Sequence, residues 1–219
     1  MRGIDVARYQ GTIDWAKVKK AGYGFAFQKC TEGTGYKDPV YQKNKDGARN
    51  AGLVFGSYHF GRGLDATKEA DWFVKNVGDI RQGEILVLDF EIWTLKDPAS
   101  WCLAFIKRVE ELVGFKPMLY TYHAQLNAYN WSKVSGYNVG LWAARYGLQE
   151  QNPNPKYMPS TGTFPFFAIW QYCSRGSVPG IVGNVDLNTT DMDQEMLKKY
   201  GKATDPIICN HQCPVHCEK

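Results

Sequence analysis

The chain has 219 residues and a formal net charge of +4. This length suffices to bury one sizeable core, and its 22% of charged residues are spread along the chain, which excludes wholesale disorder. No apolar stretch approaches the roughly 18 residues of a membrane span, and the basic excess is too small to indicate nucleic-acid binding. We therefore expect a globular domain without membrane insertion and without a nucleic-acid partner.

The first half of the chain alternates short apolar runs with amphipathic segments. Strands are predicted at 3–6, 23–29, 53–60, 84–90 and 116–120. Helices are predicted between them, at 14–20, 38–51, 65–77 and 98–113. The run at 84–90 is apolar on both faces, which is typical of a buried parallel strand. A repeat of roughly 30 residues per strand-helix unit predicts a parallel sheet or barrel.

The pattern changes after residue 130, where helical periodicity largely stops. Strands are predicted at 138–143, 166–172 and 183–187, with a last short helix at 193–200. The predicted fold class is α/β, an irregular TIM-like barrel that begins with strand-helix units and closes with plain strands. We expect residues 1–200 to form one domain, with a cysteine-rich tail or linker end at 201–219.

Acidic residues recur where predicted strands end. Asp5 ends the first strand, Asp89 and Glu91 end the fourth, and Asp186 ends the last. Active sites of parallel barrels lie at the carboxyl ends of the strands. Four carboxylates at one mouth repel each other and are costly to desolvate, so this arrangement points to a site where the charges act on a substrate.

Asp89 and Glu91 are two residues apart, which places both side chains on one face of a strand. Their Cα atoms are expected roughly 6–7 Å apart. Glycosidases need one carboxyl group to protonate the leaving oxygen and a second to stabilise or attack the sugar carbon. The expected spacing leaves retention and inversion both open. An isolated Asp-x-Glu can instead be a solvated loop or helix cap, but the strand context and the other acidic strand ends favour the catalytic interpretation.

Aromatic residues also concentrate near predicted strand ends. Sugars stack on aromatic faces, although core packing is the alternative role for any single one of these residues. His59 is expected to be a hydrogen-bonded core histidine rather than a catalytic one. The aromatic set is Tyr9, Tyr58, Tyr120, Tyr122, Trp142, Trp170 and Tyr172.

The six cysteines form two groups. Cys30, Cys102 and Cys173 stand in apolar surroundings and are predicted to be buried free thiols. Three more crowd the end of the chain, where thiolate and imidazole ligands make zinc conceivable but the spacing fits no standard zinc module. The alternative is a tail whose thiols are free or disulfide-bonded. The residues of this group are Cys209, His211, Cys213, His216 and Cys217.

Seven ordered segments carry a resemblance to a known family. The chain resembles glycoside hydrolase family 25, the Chalaropsis-type lysozymes of phage endolysins and bacterial autolysins, over about residues 3 to 190. The segments are Gly3-Ile4-Asp5-Val6 followed by Tyr9-Gln10-Gly11-Thr12-Ile13-Asp14-Trp15, Lys29-Cys30-Thr31-Glu32-Gly33-Thr34, Gly52-Leu53-Val54-Phe55-Gly56-Ser57-Tyr58-His59-Phe60, Leu88-Asp89-Phe90-Glu91, Leu141-Trp142-Ala143-Ala144-Arg145-Tyr146, Ile169-Trp170-Gln171-Tyr172 and Val185-Asp186-Leu187-Asn188.

The resemblance implies a (β/α)₅β₃ barrel that cleaves the β-1,4 bond between N-acetylmuramic acid and N-acetylglucosamine in bacterial peptidoglycan. It implies that Glu91 is the acid and that Asp89 supports a nucleophilic acetamido group of the substrate. Asp5 and Asp186 would line the floor of the site. No metal or other cofactor is implied. The candidate substrate-binding residues are Glu32, Tyr58, Tyr120, Trp142 and Gln171.

Two positions depart from the family pattern, since Ala7 and Cys30 stand where Ser and Ala are usual. No secretory signal is visible, which favours an endolysin made in the host cytoplasm that reaches the wall after release; a trimmed signal would make it extracellular. The tail could lead to a separate wall-binding domain. A chitinase-like barrel is disfavoured because Val87 stands where that family has an aspartate. An inactive wall-binding module is disfavoured because all four carboxylates are present.

Overall fold

The structure is a computed structural model and describes residues 1–203. One sheet contains nine strands: β1 Arg2–Val6, β2 Tyr23–Glu32, β3 Tyr36–Lys37, β4 Val54–Phe60, β5 Ile85–Asp89, β6 Met118–Tyr122, β7 Leu141–Ala144, β8 Ile169–Gly176 and β9 Val185–Thr189. The helices are α1 Trp15–Lys20, α2 Tyr41–Asn50, α3 Ala66–Val77, α4 Pro98–Val113, α5 His123–Ala128, α6 Ser132–Ser135 and α7 Gln194–Lys198. Short 3₁₀ turns occur at Arg8–Gln10 and Pro155–Tyr157.

Eight of the strands close into a barrel. The sheet order is β1-β9-β8-β7-β6-β5-β4-β2-β3, and an additional parallel pairing of β1 with β2 joins the two sides. The pair β2–β3 is a short antiparallel hairpin outside the closed ring. Helices follow β1, β2, β4, β5 and β6, whereas β7 to β9 lack such a crossover helix. The predicted irregular α/β barrel is thus confirmed.

The direction of the last strand was not predicted. β9 runs antiparallel to both β8 and β1, whereas the other barrel pairs are parallel. The connection from Gly176 to Val185 explains this, because a parallel crossover needs a dozen or more residues and this segment is shorter. The prediction that Asp186 ends its strand is therefore wrong: it is the second residue of β9. It still reaches the mouth, because an antiparallel strand begins where its parallel neighbours end.

Several other differences concern short elements. The hairpin strand β3 and the helices α5 and α6 were missed, since two to six residues give too few periods for a pattern. The remaining predicted boundaries lie within a few residues of those observed. The starts of α1, α3 and α4 could be predicted because each has an aspartate N-cap. The side chains of Asp14, Asp65 and Asp97 accept hydrogen bonds from backbone N–H groups in the first turn of these helices.

The barrel wall separates two apolar cores. An inner core fills the barrel below its mouth and includes Phe25, Phe27 and Val87. An outer core packs the helices against the barrel and includes Leu88 and Phe90. Alternation along β5 and the residues just after it therefore sends Val87, Asp89 and Glu91 inward while the residues between them face the helices.

Two glycines leave room for the aromatic rings inside the barrel. A Cβ at Gly3 would lie 2.2 Å from the ring of Phe25, and one at Gly56 would lie 2.2 Å from that of Phe27. Both distances are far below van der Waals contact, so a larger residue at either position would displace the ring. The filled interior below the mouth gives the site a rigid floor.

The predicted core residues behave as expected in the described part of the chain. Cys30, Cys102 and Cys173 are buried free thiols. His59 is fully buried, with Nδ1 2.8 Å from Thr31 Oγ1 and Nε2 2.9 Å from Glu69 Oε2. The possible zinc ligands Cys209, His211, Cys213, His216 and Cys217 lie outside the described residues. Within residues 1–203, no helix has the length and apolar character that crossing a membrane requires.

Candidate active site

A cavity of about 350 Å³ opens at the carboxyl ends of the parallel strands. It is lined by acidic, amide and aromatic side chains together with two cations. All nine residues proposed from the sequence lie in its wall, namely Asp5, Glu32, Tyr58, Asp89, Glu91, Tyr120, Trp142, Gln171 and Asp186. The mouth of the barrel is therefore the candidate active site, in the position that barrel enzymes use.

The four carboxyl groups come from three parts of the barrel. Asp5 on β1 and Asp186 on β9 are directly opposite each other in the antiparallel register. Asp89 is the last residue of β5, and Glu91 follows two residues later. Asp5 and Asp89 are buried at the bottom of the cavity, whereas Glu91 and Asp186 are partly exposed. The site thus has two acidic groups on its floor and two within reach of a substrate.

Asp5 is held by two side-chain amides. Its Oδ2 accepts a hydrogen bond from Gln171 Nε2 at 2.8 Å and another from Asn188 Nδ2 at 2.7 Å. Gln171 Oε1 accepts in turn from the hydroxyls of Tyr120 at 2.7 Å and Tyr146 at 2.6 Å. Both lone pairs of that amide oxygen are therefore engaged, which leaves the amide NH₂ directed at Asp5.

Trp142 fixes the orientation of the second amide. Its indole nitrogen donates to Asn188 Oδ1 at 2.8 Å. An indole N–H can only donate, so the carbonyl of Asn188 must face Trp142 and its NH₂ must face Asp5. The Trp142 ring is 2% exposed and lies 4.6 Å from the ring of Tyr120. Trp142 is therefore held in place by packing, and its indole N–H orients the side-chain amide of Asn188.

Burial raises the pKa of Glu91, while hydrogen bonding with Tyr122 and Asp89 and the positive charge of Lys29 oppose that rise. The pKa of Asp89 is raised well above its ordinary value, first by burial and then by the negative charges of Glu91 and Asp5. Oδ1 of Asp89 is buried without a hydrogen-bond partner among the described residues. The pair therefore offers a carboxylic acid and an unsatisfied buried acceptor side by side.

The facing groups Asp5 and Asp186 also have raised pKa values, and the two values differ. Burial raises the pKa of Asp5 to about 6, with the hydrogen bonds from Asn188 and Gln171 limiting the rise. Burial and the charges of Asp5 and Glu91 raise the pKa of Asp186 to about 9. Carboxyl groups this close titrate as a coupled set, so protonation of one depends on the others.

Two cations line one side of the cavity. Lys29 forms an ion pair with Glu32, and Arg62 Nε donates to Glu32 Oε1 at 2.7 Å. Both cations also lie over the ring of Phe60, at 4.7 Å for Lys29 and 5.0 Å for Arg62. Glu32 is thus part of a charged cluster at the rim, and the positive charge of Lys29 opposes the rise in the pKa of Asp89 and of Glu91.

Sequence reasoning missed some members of the site and included others that lie elsewhere. Trp170 and Tyr172 are buried in the outer core, because strand alternation turns only Gln171 between them toward the cavity. Lys29 and Tyr146 stand in segments that carried the family resemblance, and alternation along β2 could have identified Lys29. Asn188 also stands in such a segment, but its contact with Asp5, and the contact of Arg62 with Glu32, join residues distant in sequence and had no local signal.

Three comparisons with known proteins agree on one family. The model of glycosyl hydrolases family 25 matches residues 4–181. Lysozyme M1 of Streptomyces globisporus is 34% identical over 86% of this chain and 67% of its own length. The N,O-diacetylmuramidase of Chalaropsis sp is 30% identical over 85% of this chain and 96% of its own length. The crystal structure of a bacterial lysozyme from Streptomyces coelicolor superposes with a TM-score of 0.79 at 31% identity, covering 92% of this chain and 96% of that one.

The protein is a glycoside hydrolase, as shown by these matches together with the closed barrel and the carboxyl-rich cavity at its mouth. The chain belongs to glycosyl hydrolases family 25, as its sequence motifs indicated. Its relatives include proteins named as lysozymes and as an N,O-diacetylmuramidase.

Proposed function

We propose that the protein is an N-acetylmuramidase that hydrolyses the β-1,4 bond between N-acetylmuramic acid and N-acetylglucosamine in bacterial peptidoglycan. The observation that carries the proposal is the pair of inward carboxyl groups at the end of β5, where Glu91 is the more accessible and Asp89 the more buried. The names of its lysozyme and muramidase relatives support the same class of substrate.

Glu91 acts as the general acid. Its pKa is raised by burial, so a larger fraction of the group is protonated near neutral pH than for an exposed glutamate. In the first step it protonates the glycosidic oxygen, and the bond between that oxygen and the anomeric carbon breaks. The carbonyl oxygen of the substrate's own acetamido group bonds to the anomeric carbon from the opposite face, giving a cyclic oxazolinium ion.

Asp89 supports this internal nucleophile. Its buried Oδ1 can accept a hydrogen bond from the acetamido N–H, which both satisfies that oxygen and turns the acetamido carbonyl toward the anomeric carbon. Binding of this donor favours the ionised form of Asp89, opposing the rise in its pKa caused by burial and by the charges of Glu91 and Asp5. The negative charge then stabilises the oxazolinium ion.

In the second step Glu91, now a carboxylate, removes a proton from water as the water oxygen bonds to the anomeric carbon. The oxazolinium ring opens to restore the acetamido group, and Glu91 regains its proton. Two displacements at the same carbon retain its configuration. We assign Tyr58 to contact with the sugar, because its side chain lines the cavity and keeps its hydroxyl proton; burial and the charges of Asp5 and Asp89 raise the pKa of Tyr58.

The proposed catalytic unit is residues 1–200, with the cell wall as its site of action. The last described helix, α7, ends at Lys198, and Gly201 packs closely on the backbone of Glu84, just before β5. The proposal assigns the remaining tail, and any separate wall-binding domain to which it leads, to targeting rather than to chemistry. A phage lysozyme among the relatives supports action on the wall after release.

Clearing of a Gram-positive wall suspension tests the proposal. The wild type should clear the suspension and generate new reducing ends on N-acetylmuramic acid. Glu91→Gln should lose at least about 100-fold of this activity, because it removes the proton donor at nearly constant shape. Glu111→Gln is the matched control, since Glu111 is exposed on α4 and should leave clearing unchanged.

Two outcomes would contradict the proposal in different ways. Equal clearing by wild type and Glu91→Gln would remove Glu91 from its role as acid. New reducing ends on N-acetylglucosamine would point instead to a glucosaminidase or chitinase-like cleavage.

Asp89→Asn should lower kcat more than it raises KM, because the support that Asp89 gives increases in the transition state.

A further inference from the structure

The first and last strands of the barrel place two carboxyl groups face to face. Asp5 and Asp186 are direct partners in the antiparallel register of β1 and β9. Side chains of such partners have Cβ atoms roughly 4.5–5.5 Å apart on one face of the sheet. Both groups line the cavity. Because Asp5 is buried and Asp186 is only partly exposed, two ionised carboxylates at this separation are disfavoured.

The surroundings of the two groups are unequal. Asp5 accepts two amide hydrogen bonds through Oδ2, from Gln171 and Asn188. Among residues 1–203 no donor stabilises Asp186, which experiences only burial and negative charge. Because N–H donors stabilise an ionised carboxylate, the negative charge of the pair belongs on Asp5.

We infer that Asp5 and Asp186 share one proton, that Asn188 and its partner Trp142 direct this proton to Asp186, and that Asp186 is a hydrogen-bond donor toward the bound glycan. Asn188 and Trp142 are positioning residues, since they act through Asp5. The indole N–H keeps the amide of Asn188 turned toward Asp5, so the assignment of the proton is built into the hydrogen-bond network.

The other titratable groups around Asp186 also favour placing the shared proton on Asp186 and the negative charge on Asp5. Glu91 approaches it from the end of β5 and raises its pKa, as Asp5 does from β1. Four further groups interact electrostatically with Asp186, and none of them brings a positive charge: Asp89 on β5, Tyr58 on β4, Tyr146 after β7 and Cys173 on β8. Lys29 on β2 acts on Asp89 and Glu91.

The consequence is a change in the kind of contact that Asp186 makes. An ionised Asp186 could only accept hydrogen bonds from sugar hydroxyl or amide groups, whereas the protonated group can donate to a sugar or carbonyl oxygen. It also keeps a third negative charge, beside those of Asp5 and ionised Asp89, away from the proton donor Glu91. This role in binding rests on the proposed function, but the location of the proton does not.

The test is a ¹³Cγ NMR titration of the full-length chain labelled at aspartate, without substrate. Loss of one signal in Asp186→Asn assigns the Asp186 resonance. We expect that resonance at its protonated position at pH 7, with a midpoint of about 9. Asn188→Leu should lower this midpoint by about one pH unit, because a less stabilised Asp5 takes more of the proton.

Trp142→Phe provides a second route if Asn188→Leu does not fold, and its effect should have the same direction. Thr190→Val is the control, because Thr190 is buried near the end of β9 and its hydroxyl bonds Ala168 O rather than a carboxyl group. An ionised Asp186 at pH 7, or a midpoint unchanged in the folded variants, would overturn the inference. Since no substrate is used, the result is independent of the wall-clearing assay.

Where clearing is observed, the pH dependence of kcat provides a further readout. Asn188→Leu should move the loss of activity on the alkaline side to lower pH, while a purely structural role would lower kcat at every pH alike. Thr190→Val should leave that profile in place.

Discussion

The phenol of Tyr122, at the end of β6, lies beside the carboxyl group of Glu91 in the wall of the cavity. As a hydrogen-bond donor near this carboxyl group, the phenol favours the ionised form and so opposes the rise in the pKa of Glu91 that burial causes. Tyr122 therefore influences both where the proposed acid sits and over what pH range it keeps its proton.

Tyr122→Phe should lower kcat by about two- to tenfold, the value of one hydrogen bond in a partly buried site. Its effect on pH dependence has a definite sign. Loss of this donor raises the pKa of Glu91, so the alkaline limb of kcat/KM should move to higher pH. The control is Tyr129→Phe, because within residues 1–203 the Tyr129 hydroxyl bonds only the backbone oxygen of Trp93. An alkaline limb that moves to lower pH would contradict the assignment of Glu91 as acid.

Trp93→Ala should weaken binding of long glycan strands. Trp93 follows Glu91 by two residues, is 51% exposed, and packs at 6.0 Å on the ring of Tyr129. An exposed indole that packs on a neighbouring ring, two residues beyond the proposed acid, offers a sugar a stacking surface worth about 1 kcal/mol or more. We expect KM for wall polymer to rise about three- to tenfold, with little change for the smallest cleavable oligosaccharide.

Phe166→Ala is the matched control for Trp93→Ala. Phe166 is 58% exposed but precedes β8, at the end of the barrel away from the cavity mouth. It should leave KM unchanged for both substrates. An equal rise in KM from the two substitutions would indicate a general effect of surface aromatics on wall adhesion.

Asp186→Asn should stabilise the fold as it impairs the site. A carboxyl group whose pKa is raised on folding contributes stability below its unfolded pKa, and that contribution is lost as pH rises toward its folded pKa of about 9. The amide does not titrate, so the variant's gain should be small at pH 4 and reach about 1–3 kcal/mol at pH 8. Urea unfolding at several pH values measures this, and a gain that shrinks with rising pH would contradict it.

Lys45→Met should destabilise the fold without affecting the site. Nζ of the fully buried Lys45 donates to the backbone oxygens of Val77 at 2.7 Å and Asp79 at 2.6 Å, just where α3 ends. A cation there stabilises the carbonyl end of the helix. We expect a loss of about 1–3 kcal/mol in the free energy of unfolding, with kcat per folded molecule unchanged.

Lys43→Met serves as the control on the same helix, since Lys43 is exposed on α2. Its effect on unfolding should stay within about 0.5 kcal/mol. Comparable losses for the two variants would show that helix propensity or net charge, rather than the buried contacts of Lys45, causes the change.

The parts of the site that could be predicted from sequence are those encoded in a single strand. Asp89 and Glu91 were identified because the apolar run before them marks a buried strand and alternation fixes their shared face. Asp5 and Asp186 were identified in the same way, as acidic residues at predicted strand ends, and the family resemblance then suggested separate roles for Asp89 and Glu91. The direction of β9 was not predicted, although the short connection before it carried the information.

The relations between distant strands could not be predicted in this way. Asn188 reaches Asp5 across 183 positions of sequence, and Gln171 reaches it across 166. Such contacts depend on the register in which β9 pairs with β1 and β8, and no local pattern specifies that register. The division of roles between Asp5 and Asp186 therefore became visible only with the folded barrel.

The pairing of β1 with β9 makes the site a property of the completed chain. Asp5 lies on the first strand of the barrel and Asp186 on the last, so these two strands must pair before the groups meet. A growing chain that has not yet emerged through Thr189 can form the early strand-helix units but cannot bring Asp5 and Asp186 together. Catalytic competence should consequently appear late in biosynthesis, when β9 pairs with β1 and closes the barrel. A circular permutant whose termini lie between these two strands would separate folding of the sheet from formation of the active site.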